Sequence, residues 1–190
     1  MKKVTIFATV FLCVFCLCLV YSVSVQSNLC QNLVRLHVIA NSDSVKDQGI
    51  KLGVRDKILE NSNNFITEDY GKVVQEYLEE IGAPYSAQVT YEKCYVPAKS
   101  YKEIVLPQGE YNCIKVTLGE GAGRNWWCVA YPPLCYTESM FGGLSEEGRA
   151  ELEYLLDDET MRSIVKNGKI NIRFKIVDSI QRLFCSKTIN

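Results

Sequence analysis

The sequence predicts an α+β fold: a single domain with a mainly antiparallel sheet, helices packed on one face of that sheet, and a signal or anchor helix at the N-terminus. Three observations lead to this class. A long uncharged stretch opens the chain, two segments with helical periodicity follow a first apolar strand, and from Ser86 onward apolar residues recur with a period of two. At 190 residues, 47% of them apolar, the chain is long enough for one substantial core and too short for three domains.

The N-terminal stretch predicts a membrane-directed helix. Two lysines precede the uncharged segment Val4–Val25, which as a helix would be roughly 33 Å long at about 1.5 Å per residue, enough to cross a bilayer. Ser22 and Ser24 also provide the small residues of a signal-peptidase site that cuts after Ser24. We therefore divide the chain into a leader, 1–27, that is a cleaved signal or a retained anchor, and an exported domain, 28–190.

The charge and cysteine content exclude several classes of function. Without the two lysines of the leader, the domain has 19 basic and 22 acidic residues, a net charge of −3, which argues against a general nucleic-acid binder. Six of the nine cysteines follow the leader, where export permits disulfides. They contain no CxxC pair, and the single histidine cannot complete a Cys2His2 zinc site, so no metal is predicted.

The first half of the domain is predicted to contain a strand and two helices. Alternating residues predict a strand over Leu33–Ile39, which ends in the polar segment NSDS. Ser44, with Asp47 three residues later, predicts a capping box that begins a helix ending near Asn61. A second helix is predicted over Tyr70–Ile81, because its apolar residues have helical spacing and Gly and Pro follow.

The second half is predicted to add four strands and two helices. In chain order these are the strand segments SAQVTYEKCYVP and EYNCIKVTLGEG, an aromatic strand Asn125–Tyr131, helices Ser145–Leu156 and Glu159–Val165, and a final strand from Lys169. In a register that sets Cys94 opposite Cys113, the first two strands bring these side chains close enough for a disulfide.

His37 is the first candidate for chemistry. With Asp43 or Asp47 to orient it, its imidazole suits a general base. The segment lacks the GxSxG turn of a serine nucleophile, however, and Ser44 has the simpler role of a helix cap. We favour the other interpretation, a half-buried histidine on a strand.

Two further motifs have structural interpretations that we prefer. GEGAG at 119–123 suggests a phosphate loop, but its spacing is neither GxGxxG nor GxxxxGK, which favours a hairpin turn. The acidic triplet 157–159 lacks the alternating ligands of a calcium loop, which favours a solvated helix end. No cofactor is predicted.

The segment NWWCVAYPPLC predicts a binding feature. Trp126 and Trp127 lie on opposite faces of a strand, and a sheet with one packed face has room for one large indole. One tryptophan is therefore predicted in the core and the other at an interface. Cys128 and Cys135 are predicted to close a loop around two prolines by a disulfide, contributing roughly 2 to 3 kcal/mol.

Together, RLHVIANSDSVKDQGIKLGVRDKIL, NWWCVAYPPLCY and INIRFKIVDSIQ resemble the stage II sporulation protein R family of endospore-forming bacteria, from Leu33 to Gln181. The resemblance implies a signalling protein that is made in the forespore and exported between the forespore and mother-cell membranes. Its partner there would be a membrane-embedded aspartic protease, stage II sporulation protein GA, which it activates to process pro-sigma factor E. It would itself be no enzyme, with no cofactor and no small-molecule substrate.

The NSDS region and the tryptophans are the predicted recognition patch for that partner. Its residues are His37, Asn41, Ser42, Asp43, Arg55, Trp126 and Trp127. The alternative function is an exported cell-wall hydrolase that uses His37 with Asp43 or Asp47. A third class is a structural envelope protein.

Overall fold

The structure, a computed structural model, describes residues 2–61, 69–101, 104–132, 134 and 146–165. The helices are α1 (Lys2–Asn32), α2 (Val45–Glu60), α3 (Tyr70–Glu80), α4 (Glu146–Leu155) and α5 (Asp158–Ile164). The strands are β1 (Val34–Ile39), β2 (Ala87–Val96), β3 (Lys99–Ser100), β4 (Val105–Leu106), β5 (Gly109–Leu118) and β6 (Asn125–Tyr131). The predicted Cys128 partner Cys135, the helix start at Ser145 and the strand from Lys169 lie outside the described residues.

Helix α1 is long and apolar enough to cross a membrane, consistent with a signal or anchor segment. Its C-terminal end packs against the domain, where Leu29 is fully buried. The Asn112 side chain donates a hydrogen bond to the Cys30 carbonyl at 3.0 Å, and the Cys30 thiol contacts the Glu110 carbonyl. The helix thus continues past residue 27 and joins the domain without a linker.

The main sheet has the strand order β2-β5-β1-β6. Its outer pairs are antiparallel, including β2 with β5, which confirms the predicted pairing of those two segments. The central pair β1 and β5 is parallel. Parallel neighbours need a long crossover connection, and the chain between them provides it through α2, α3 and β2.

One face of the sheet is covered by α2 and α3, as predicted. Side chains such as Leu36 and Val38 of β1 pack there against α2 and α3. Gly53 of α2 allows the helices to approach closely, because a Cβ on it would overlap the Tyr77 side chain of α3. An intrinsically weak helix position is therefore offset by close helix packing.

The opposite face of the sheet is also covered. The apolar side chains buried there come from the end of α1, the small β3–β4 sheet, α4 and α5, including Leu29, Leu106, Leu152, Leu156 and Ile164. The α+β class with a mainly antiparallel sheet is confirmed, but the helices occupy two faces where one was predicted. The physical reason is visible in β5, whose residues are apolar on both faces, as in strands buried on both sides.

Candidate recognition surface

The NSDS segment is held by a buried carboxylate, that of Asp47. It accepts hydrogen bonds from Ser42 Oγ at 2.5 Å, Tyr85 Oη at 2.7 Å and Asn41 Nδ2 at 3.0 Å. The bonds from Ser42, Tyr85 and Asn41 lower the pKa of Asp47 to about 2, because they favour the charged carboxylate. The side chains of Asn41 and Ser42 therefore point towards Asp47 and stabilise the conformation of the loop.

The predicted capping box is half correct. Ser44 is the N-cap of α2, and its Oγ accepts a hydrogen bond from the Asp47 amide at 3.1 Å. In a full capping box the Asp47 carboxylate would accept a hydrogen bond from the Ser44 amide. The Ser44 amide instead donates to Ser42 Oγ at 3.2 Å, because Asp47 is engaged with the side chains around it.

The GEGAG segment is a turn that packs against the NSDS loop. The prediction of a hairpin turn is wrong, because β1 lies between β5 and β6, the two strands that this segment connects. Gly119 and Gly121 have positive φ values of 53° and 62°, which favour glycine. The amides of Glu120 and Ala122 donate to the side chain and backbone of Asn41 at 3.0 and 3.1 Å. These amides therefore donate to the protein's own backbone and side chains, as expected for a structural turn and not for a phosphate loop. We call segment 40–45 and turn 119–124 together the loop pair.

Charged side chains complete the loop pair. Asp43 accepts a hydrogen bond from the Arg124 amide at 2.8 Å, and the Arg124 carbonyl accepts one from Lys51 Nζ at 3.1 Å. Burial lowers the pKa of Lys51, and the positive charge of Arg124 lowers it further. Lys51 thus links α2 to the turn from below.

The outer surface of the loop pair is exposed and chemically mixed. Val45 is 92% exposed, and the side chains of Arg124 and Asp43 are 76% and 57% exposed. An apolar side chain beside one positive and one negative side chain, all on a hydrogen-bonded backbone, suits recognition of a protein surface. Sequence reasoning missed Tyr85, Val45 and Arg124.

His37 lies away from the loop-pair carboxylates. It is buried, stacks on Trp127 with ring centroids 3.5 Å apart, and hydrogen-bonds through Nε2 to Asn125 Oδ1 at 2.9 Å. Within the described residues, no hydrogen bond joins His37 to Asp43 or Asp47. The half-buried strand histidine is the better interpretation, although the ring is more buried than predicted.

Arg55 and Trp126 form a second pair on the α2 side of the sheet. The Arg55 guanidinium lies 4.8 Å from the centroid of the Trp126 ring and pairs with Asp56 at 2.7 Å. Trp126 packs on the core of that face, whereas Trp127 packs on the core of the other. The tryptophans therefore lie on opposite faces as predicted, but the premise that only one indole fits a core is wrong. The interface role of either stays a prediction.

The predicted patch is thus divided among three places. Asn41, Ser42 and Asp43 belong to the loop pair, which the structure brings together. The Arg55–Trp126 pair and the His37–Trp127 pair lie on opposite faces of the sheet, because adjacent residues of a strand point to opposite sides.

The cysteines require one correction. Cys94 pairs with Tyr111, and Cys113 with Glu92, so the predicted register is shifted by two residues. Cys94 and Cys113 are buried free thiols that contact each other, and the predicted bond between them is absent. Cys128 is disulfide-bonded, and its partner lies outside the described residues.

These features define a class: an α+β domain, joined to a helix of membrane-spanning length, with an exposed loop pair whose backbone is fixed by hydrogen bonds. The profile of the family described as stage II sporulation protein R matches residues 30–140. The chain is also 32% identical to stage II sporulation protein R of Bacillus subtilis over 181 residues, covering 80% of this chain and 81% of that protein. The chain belongs to the stage II sporulation protein R family. No solved structure shows significant similarity to it.

Tyr85→Phe tests the Asp47 cluster. Losing one hydrogen bond to a carboxylate should lower the unfolding temperature at pH 7 by roughly 3 °C in a chain of this length. The folded pKa of Asp47, about 2, is below its ordinary value of 3.8, so its contribution is complete above pH 4 and is lost as the pH falls towards 2. The difference between variant and parent should therefore shrink over that interval.

Thermal unfolding from pH 7 to pH 2 measures this effect, with Tyr154→Phe as the control, since Tyr154 is exposed. A Tyr85→Phe penalty that is independent of pH would contradict the role of Asp47.

Trp126→Ala and Trp127→Ala should both destabilise the domain, by roughly 3 kcal/mol each, because each removes an indole that packs on a core cluster. Denaturant unfolding of the two variants is the measurement. A variant that keeps the parent's stability would instead identify its tryptophan as the predicted interface anchor.

Proposed function

We propose that this chain is an exported forespore signal that activates the membrane-embedded aspartic protease, stage II sporulation protein GA, and so promotes processing of pro-sigma factor E in the mother cell. Export would place the domain between the forespore and mother-cell membranes. Family membership is the observation that carries the proposal.

The loop pair supports this proposal. A protein that acts by contact needs a surface that keeps one shape, since ordering a loop on binding costs affinity. The Asp47 cluster fixes the backbone beneath Asp43 and Val45, while these two side chains stay exposed. We therefore propose the loop pair as the contact surface for the protease.

The hydrolase alternative has weaker support. A general base needs its imidazole within reach of substrate and oriented by a partner. His37 is buried under Trp127 and bound to an uncharged amide, that of Asn125.

The direct test is reconstitution in non-sporulating bacterial cells that make only the protease and the pro-sigma factor. Adding the full chain should cause processing of the pro-sigma factor, detected by immunoblotting. A chain from Gln26 onward with a foreign secretion signal shows whether the native leader is needed. Absence of processing despite a stable, exported product would overturn the proposal.

Val45→Ser tests the loop pair as the contact surface. We expect processing to fall by about tenfold, the effect of losing a modest interface contact, with unchanged unfolding temperature because Val45 is exposed. Tyr154→Ser is the matched control, since Tyr154 is equally exposed but belongs to α4. Equal processing by the two variants would show that the contact surface lies elsewhere on the domain.

His37→Ala separates the signal from the hydrolase. A hydrolase that uses this imidazole should lose about 10² to 10⁴ in rate, whereas a contact signal that stays folded should keep much of its activity. Sigma-factor processing and circular dichroism are measured on the same variant. Processing retained by a folded His37→Ala protein would rule out the hydrolase, whereas loss of processing together with loss of cell-wall hydrolysis would favour it.

A further inference from the structure

A buried positive charge lies in the core of the second face. Arg35 is fully buried, and its Nε donates to the Cys128 carbonyl at 3.0 Å. Its two terminal nitrogens are buried without a hydrogen-bond partner in the described part of the chain. A guanidinium remains charged in a protein interior, so burying it without compensating negative charge is costly.

The Arg35 guanidinium has the Cys113 thiol and the Tyr101 hydroxyl as ionisable neighbours, and burial raises the pKa of Tyr101, which keeps that hydroxyl neutral. Cys113 of β5 is the register partner of Arg35 on β1, and Cys94 lies diagonally across on β2, on the same face. The hydrogen bond from Cys113 lowers the pKa of Cys94, and the neighbouring His37 ring lowers it further. One thiolate on this pair of sulfurs would supply negative charge next to the guanidinium.

The other charged groups around the thiols do not replace this thiolate. The Glu92 carboxylate, which neighbours Cys94, is engaged by Lys115 Nζ at 2.9 Å. The Tyr111 ring lies 5.2 Å from the Arg35 guanidinium and offers only its π face. Arg35, Cys113 and Cys94 therefore form a distinct cluster, which we call the thiol cluster.

We propose that Cys94 and Cys113 are a redox-active thiol pair, with Cys94 as the nucleophile, Cys113 as the resolving thiol, and a small dialkyl disulfide as the oxidant. The Cys94 sulfur attacks one sulfur of the oxidant, forms a mixed disulfide and releases one thiolate. The Cys113 sulfur then attacks Cys94 Sγ, forming the protein disulfide and expelling the second thiolate. The one proton of the protein pair passes to one of the released thiolates, so a thiol and a thiolate of the protein are oxidised and one disulfide is reduced to a thiol and a thiolate.

The disulfide between Cys94 and Cys113 should be easy to reduce. Diagonal cross-strand positions have Cα atoms about 7 to 8 Å apart, at or beyond the usual limit for a disulfide, so bond formation must shift the backbone. Oxidation also removes the thiolate that compensates Arg35. Both effects stabilise the reduced form and make the disulfide easily reducible.

The test uses the full chain in detergent micelles with bis(2-hydroxyethyl) disulfide as the oxidant. After an acid quench, the protein is unfolded, its thiols are alkylated, and its peptides are examined by mass spectrometry. We expect a disulfide between Cys94 and Cys113 that a small excess of 2-mercaptoethanol reverses, while Cys128 remains oxidised. Two unreacted thiols after prolonged exposure would overturn the proposal.

Single variants identify the role of each sulfur. In Cys113→Ser, the mixed disulfide should accumulate on Cys94, because the resolving thiol is absent. In Cys94→Ser, Cys113 should remain a free thiol. Modification of Cys113 in the second variant, or none of Cys94 in the first, would contradict the assignment.

Arg35→Met tests the counter-ion. At a fixed ratio of thiol to disulfide in the buffer, the oxidised fraction should rise by about tenfold relative to the reduced fraction, since the reduced form loses its charge partner. Arg162→Met, which removes a guanidinium from α5, is the matched control. An unchanged ratio of oxidised to reduced protein in folded Arg35→Met would show that Arg35 does not stabilise the reduced thiol pair. If Arg35→Met fails to fold, the two cysteine variants test the proposal. None of these readouts depends on the protease or on sporulation.

Discussion

The structure depends on the burial of β1 within a sheet that is covered on both sides. β1 pairs with β5 and with β6, so its backbone hydrogen bonds are made in both directions. One side contributes Leu36 and Val38 to the core beneath α2 and α3. The other side carries Arg35 and His37 into the second core, where polar groups need partners. His37 has Trp127 as its partner, and Arg35 has the two sulfurs of the thiol cluster. The loop pair begins where β1 ends.

The loop pair shows how a polar cluster fixes a surface that hydrophobic packing does not reach. Asp47 collects side-chain donors from its own loop and from Tyr85, which precedes β2. Charge-assisted hydrogen bonds are shorter and stronger than neutral ones, so a single carboxylate can hold several segments in one arrangement. The exposed, apolar side chain of Val45 takes no part in these hydrogen bonds. A Val45 variant is therefore interpretable, because the change leaves the hydrogen bonds of Asp47 intact.

The sequence was informative where the pattern is local. Periodicity placed α3 and the aromatic strand β6 closely, and Ser44 located the start of α2. Prediction from the sequence failed where a contact with a distant segment of the chain determines the structure. The Cys94–Cys113 register depends on where the β2–β5 connection closes, which composition does not reveal. The role of Asp47 depends on Tyr85, 38 positions away. The second covered face depends on the packing of the end of α1, α4 and α5, which no local pattern assigns to a particular face of the sheet.

The docking of α1 also sets the direction in which the loop pair points. Cys30 of α1 is held by Glu110 and Asn112, near the start of β5. The turn of the loop pair follows the other end of β5, which has ten residues and therefore extends about 30 Å at about 3.3 Å per residue. A chain held in a membrane by α1 would thus present the loop pair on the side of the domain away from that membrane. For the proposed function this is the useful orientation, since the proposed partner lies in the opposite membrane.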